Sequence, residues 1–104
     1  MDLRQRLDMA VIEAFCHRWK SIEMAVFGSA LRNDFDPDSD IDLLVSFAPD
    51  AQWSLFDLIR MERELAELLG RRVDLVSRRS IEASANWIRR REILSTAETI
   101  YRAD

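Results

Sequence analysis

The chain has 104 residues, 48% of them hydrophobic, and a formal net charge of −4. That length suits one compact domain with a real core, so a single domain over residues 1–104 is expected and a disordered segment is not. No apolar run approaches the roughly 20 residues that span a bilayer. The charged, amphipathic start MDLRQRLDMA is unlike a secretory signal. The single cysteine, Cys16, excludes an internal disulfide and fits a reducing cytoplasm. The acidic balance argues against stable binding to duplex DNA.

In chain order, Leu3, Leu7, Val11, Phe15 and Trp19 recur every four residues. This stripe predicts a helix from about residue 3 to 19. The apolar run ending at Gly28 predicts a strand over Glu23–Phe27. Residues 30–39, with Asn-Asp and Asp-Pro pairs, read as a loop. DIDLLVSF is the second strand, with Asp40, Asp42 and Leu44 on one face and Ile41, Leu43 and Val45 on the other. Ser54 and Asp57 form a capping-box pair for a helix that ends at Gly70. Leu55, Leu58, Ile59, Leu65, Leu68 and Leu69 are expected on its buried side. RVDLVS is the third strand, residues 83–95 a further helix, and Thr-Ile-Tyr near the end a short edge strand. A helix lying between strands two and three favours a parallel or mixed sheet with helical cover.

The charges are segregated. Between Asn33 and Ile59 stand seven aspartates and no basic residue, whereas Arg71–Arg91 carries seven arginines against Asp74 and Glu82. For most of these residues a solvated surface is the simplest reading, including the Arg89-Arg90-Arg91 run. The stretch GSALRNDFDPDSDIDLLV stands apart, because five aspartates lead straight into an aliphatic strand. Asp40 and Asp42 point the same way, roughly 6–7 Å apart along the strand. Two carboxylates so placed repel when ionised unless a cation lies between them. Mg²⁺, which takes oxygen ligands and shares its shell with phosphates, suits such a pair. Asp74, between Val73 and Leu75 on an apolar strand, offers a third carboxylate for metal or for proton transfer. Gly28 and Ser29 end the first strand, where a bare backbone and a hydroxyl can receive phosphate. Taken singly, an Asp-x-Asp or a Gly-Ser pair is most often a turn. The joint spacing is the signal: Gly-Ser, ten residues, Asp-x-Asp, then a strand-borne aspartate after a helix.

This pattern resembles the signature of the nucleotidyltransferase superfamily that includes DNA polymerase beta. In particular, nearly the whole chain is similar to the minimal nucleotidyltransferases, the antitoxin halves of HEPN/MNT toxin–antitoxin pairs. The resemblance implies an α/β (α+β) nucleotidyltransferase fold, a small mixed sheet with three to four helices packed on it. It assigns Gly28 and Ser29 to the triphosphate of ATP, Asp40 and Asp42 to two Mg²⁺ ions, and Asp74 to the third catalytic and metal-binding carboxylate. Arg32 falls where these proteins carry arginine in Gly-Ser-x-Ala-Arg-Gly, with Leu31 in place of alanine and Asn33 in place of glycine. The implied activity is a type VII-like antitoxin reaction, Mg²⁺-dependent transfer of AMP from ATP to a tyrosine of a cytoplasmic HEPN ribonuclease partner. Transfer to a small-molecule hydroxyl and neutralisation by binding alone are the alternatives. His17 and Cys16 lack companion ligands or bases and read as helix residues. Trp53 reads as packing in preference to base stacking, and Trp19 and Trp87 as core or interface.

Overall fold

The computed structural model describes residues 7–28 and 40–103. Their elements run α1 (Met9–Arg18), β1 (Ser21–Phe27), β2 (Ile41–Phe47), α2 (Leu55–Leu69), β3 (Val73–Ser77), α3 (Arg78–Glu82), α4 (Trp87–Thr96) and β4 (Glu98–Arg102). The strands form one sheet in the order β3-β2-β1-β4. β2 and β3 are parallel, joined by the α2 crossover, while β1 is antiparallel to both β2 and β4. Mixed pairing and helical cover agree with the sequence expectation.

Period-two alternation sorts the strand residues between two cores. Met24, Val26, Ile41, Leu43, Val45, Val73 and Leu75 pack with Ile12, Phe15 and Cys16 of α1 and with Met61 and Leu65 of α2. The other face buries Ala25, Phe27 and Leu44 against Ile81 and Ile93. β1 and β2 are therefore apolar on both sides, which explains their near-continuous hydrophobic runs. β3 is an edge strand, and its exposed ladder is partly closed by α2, where Leu75 N–H donates to Glu62 Oε2 at 3.0 Å. Thr-Ile-Tyr does lie in the other edge strand, β4.

Three sequence expectations are corrected. Helix α1 begins at Met9 and leaves Leu7 and Asp8 outside it, because the Asp8 carboxylate accepts from Ala10 N–H and Val11 N–H and fixes the N-terminus there, while residues 3–6 of the expected helix lie outside the described residues. Its buried face is Ile12, Phe15 and Cys16, and Val11 and Trp19 are only partly covered. In α2 the capping box at Ser54–Asp57 and the left-handed Gly70 are as expected. However, Leu55 (72% exposed), Ile59 (45%) and Leu68 (45%) face outward. One helix can lay only about a third of its circumference on a sheet, and here that stripe centres on Met61 and Leu65. Finally, the helix expected over residues 83–95 starts later, as α4 at Trp87, and a separate short helix, α3 at Arg78–Glu82, precedes that range. Ser77 caps α3 and Asn86 caps α4 by accepting from Arg89 N–H at 3.1 Å. Trp87, at the start of α4, is 58% exposed and belongs to neither core. Among the described residues no helix is long and apolar enough to cross a membrane.

Candidate active site

The local chain at the end of β1 sets the geometry. Gly28 has φ +74°, and a Cβ placed on it would lie 2.3 Å from Asp42 Oδ2. Only glycine gives both the left-handed turn and the space for that carboxylate. The sheet register then aligns the remaining groups. Phe27 pairs with Asp42, and Asp42 pairs with Asp74 across the parallel ladder. Directly opposite residues on neighbouring strands, about 4.7–4.9 Å apart, project to the same face. Phe27, Asp42 and Asp74 thus share one face, in a row over three strands, and Gly28, next after Phe27, lies against the Asp42 carboxylate, although 46 positions separate it from Asp74 (28 to 74). The next residues along the same face, Leu44 and Val76, belong to the apolar cluster with Ile81 and Ile93. The row therefore sits at the open edge of a packed floor, with Asp42 half-buried and Asp74 exposed.

Asp40 lies one alternation before Asp42 and is exposed. Its Oδ1 is 3.1 Å from Arg72 Nε. The pairing of Ile41 with Val73 sets Arg72 abreast of Asp40. Among the described residues the site face therefore carries three carboxylates and one guanidinium. Arg72 is the residue that sequence reading passed over, and its signal was parity, two positions before Asp74 and next to the start of β3. Ser29 and Arg32 lie outside the described residues.

Among the described residues no three Asp, Glu, His or Cys side chains close into a cation-binding group. The donor chemistry nevertheless fits a hard divalent cation. Asp42 and Asp74 supply carboxylate oxygens from neighbouring strands, the absent side chain at Gly28 leaves the Asp42 carboxylate its place, and Asp40 can join once it leaves Arg72.

Other singled-out residues serve structure. Cys16 is fully buried, and burial pushes its thiol up to about 11, against a smaller downward pull from Ser21. His17 is exposed in the last turn of α1. Trp53 donates from Nε1 to the Trp19 carbonyl at 2.8 Å and meets the Trp19 ring edge-on at 5.1 Å, so it packs. Trp19 in turn donates to Glu64 Oε2 at 2.6 Å. Arg89 and Arg91 are exposed, and Arg90 donates to the Ser84 carbonyl. A cavity of about 650 Å³ bounded by Phe47, Trp53, Leu58, Arg78 and Glu82 opens at the far ends of β2 and β3, away from the carboxylate row.

The sequence model of the nucleotidyltransferase domain family matches residues 9–98. The protein adenylyltransferase MntA of Thermococcus cleftensis is 44% identical over 61 residues, which cover 59% of this chain and 60% of that protein. The chain spans about three fifths of the length of the curated relatives it matches. A solved structure assigned as a minimal nucleotidyltransferase superposes with a TM-score of 0.65 at 38% identity, covering 94% of this chain and 95% of the other. A chain from the Shewanella oneidensis complex of tri-AMPylated HEPN toxin with MNT antitoxin superposes with a TM-score of 0.64. It covers 95% of this chain and 73% of its own length at 21% identity, a likeness of fold. The four-stranded mixed sheet with its helices is thus the minimal nucleotidyltransferase architecture.

Proposed function

Because the chain belongs to the nucleotidyltransferase domain family, we propose that it transfers AMP from ATP to a tyrosine hydroxyl of a HEPN ribonuclease. It is then the antitoxin half of a type VII-like HEPN/MNT pair, built as one domain over residues 1–104 and acting in the cytoplasm. One observation carries the reading: register sets Asp42 opposite Asp74, beside a glycine whose missing side chain makes room for the Asp42 carboxylate. The adenylyltransferase name of MntA and the AMPylated toxin in the Shewanella complex support the choice of group transferred and of acceptor.

Phosphoryl-type transfer asks the protein for alignment and charge neutralisation more than for covalent chemistry. Asp42 and Asp74, with Asp40 once released from Arg72, would hold Mg²⁺, in all two ions. Bound there, the ions supply neutralisation of the attacking and leaving oxygens. Asp74 is exposed and open to an incoming acceptor. Its carboxylate takes the tyrosine proton as the phenolic oxygen bonds to the α-phosphorus and pyrophosphate departs. Gly28 lets the phosphates approach the backbone, and Ser29 and Arg32 are assigned to the β- and γ-phosphates. The rigid apolar floor beneath the row, Leu44 with Ile81 and Ile93, keeps the carboxylates in place while the acceptor docks.

The test incubates the protein with a HEPN protein encoded in an adjacent reading frame, ATP and Mg²⁺, and weighs the partner by intact mass. A gain of one or more AMP units is expected. No mass change with full neutralisation assigns the role to binding alone. No mass change with the ribonuclease still active refutes the pairing.

A further inference from the structure

Arg72 stands in the carboxylate row for a reason the fold does not need. Ile41 N–H donates to the Arg72 carbonyl at 3.0 Å, which locks β3 beside β2 just ahead of the site. Alternation then brings the Arg72 side chain out on the face of Asp40, Asp42 and Asp74. Its guanidinium reaches Asp40 at 3.1 Å, yet the two side chains are 83% and 50% exposed. An ion pair that open contributes little to stability and exchanges readily with water and ions. Its effect is local: a fixed positive charge beside one of three crowded carboxylates.

We propose that Arg72 is a built-in counter-ion for Asp40, which it holds while no divalent cation is present and releases when one binds. The inference rests on the reading of Asp40, Asp42 and Asp74 as cation ligands. Strand register sets the places of Asp42 and Asp74, and Asp40 joins them when Arg72 lets it go. Arg72 opposes the cation twice, by occupying Asp40 and by repelling a second positive charge. It therefore weakens metal affinity in the empty enzyme and ties full occupancy to the arrival of the negatively charged triphosphate, to which the freed guanidinium fork is suited.

The test measures Mn²⁺ binding to the full chain by electron paramagnetic resonance, without nucleotide, in wild type, Arg72→Ala and Arg72→Lys. Arg72 is exposed, so both variants fold, and matching melting temperatures verify this. Arg72→Ala is expected to bind roughly three- to tenfold more tightly, with the gain shrinking at high salt. Arg72→Lys keeps the charge and stays within about twofold of wild type. Adding Asp40→Asn to Arg72→Ala removes the gain. Equal or weaker binding by Arg72→Ala overturns the counter-ion role while leaving the carboxylate site standing. Absence of Mn²⁺ binding in all variants overturns both.

Discussion

Replacing Gly28 with alanine tests the geometry on which the site depends. Two costs can be read from the structure. Alanine at φ +74° is held in the left-handed region, at about 1–2 kcal/mol. Its Cβ would lie 2.3 Å from Asp42 Oδ2 but 3.3 Å from Cγ and 3.6 Å from Cβ. Only the outer end of the Asp42 side chain must therefore swing away, at about 0.5–1.5 kcal/mol for an off-rotamer torsion. The sum is about 1.5–3.5 kcal/mol, or a melting temperature lower by roughly 6–28 °C for a domain of this size. Loss of transfer should exceed what that destabilisation explains, because the displaced carboxylate no longer faces Asp74. A displacement near 1 Å in such an array costs about 100-fold. Urea unfolding followed by tryptophan fluorescence gives the first quantity, and intact-mass transfer well below the melting point gives the second. Gly70→Ala is the control. Its φ is +65° with nothing within 4 Å of the added Cβ, so it carries the backbone cost alone and leaves transfer unchanged. Wild-type stability in Gly28→Ala, or transfer within a few-fold of wild type, would refute the argument.

Further outcomes follow from other parts of the molecule. Asp42→Asn and Asp74→Asn should each abolish AMP transfer while circular dichroism stays unchanged; a folded, fully active variant at either position removes that residue from the site. Ser54→Ala breaks the capping box of α2 and should cost about 1 kcal/mol in chemical denaturation. Hydrogen bonds from Ser54 hold the Asp57 carboxyl below its ordinary value of 3.8. A depressed carboxylate stabilises the fold above its unfolded pKa and loses that effect as pH falls through the folded one. The stability gap between wild type and Asp57→Asn should therefore close as pH drops below about 4. Cys16 runs the other way. Its folded value, raised from 9.0 to about 11, leaves stability intact below 9 and erodes it as pH rises between the two. The slope is about 1.4 kcal/mol per pH unit. Cys16→Ala should flatten that alkaline slope, and the native thiol should resist alkylation at neutral pH.

Much of this was legible in the chain. The alternation of Asp40, Asp42 and Leu44 against Ile41, Leu43 and Val45 gave both faces of β2, and Leu44 and Val45 do fall in separate cores. The Ser54–Asp57 cap and Gly70 bounded α2 correctly because caps are local chemistry written in a few adjacent residues. The errors lie where local pattern competes with packing. The four-residue stripe of α1 ran through Asp8, whose capping bonds start the helix instead. Six apolar positions on α2 exceeded what one face can bury, and only contact with the sheet selects Met61 and Leu65.

The sequence by itself determined the kind of groups and their local direction: two aspartates on one strand face, a glycine at a strand end, and an aspartate on a later apolar strand. Those follow from backbone geometry, which repeats every two residues along a strand. Only the tertiary structure decided which groups meet. Register between β1, β2 and β3 sets Phe27 and Asp74 on either side of Asp42 and places Arg72 on Asp40, and the left-handed turn after Phe27 brings Gly28 against the Asp42 carboxylate. A slip of one residue in either pairing would turn a carboxylate to the opposite face. That register is fixed by burial of Leu43, Val45, Val73 and Leu75 under α1 and α2, interactions made across the chain that no local pattern contains.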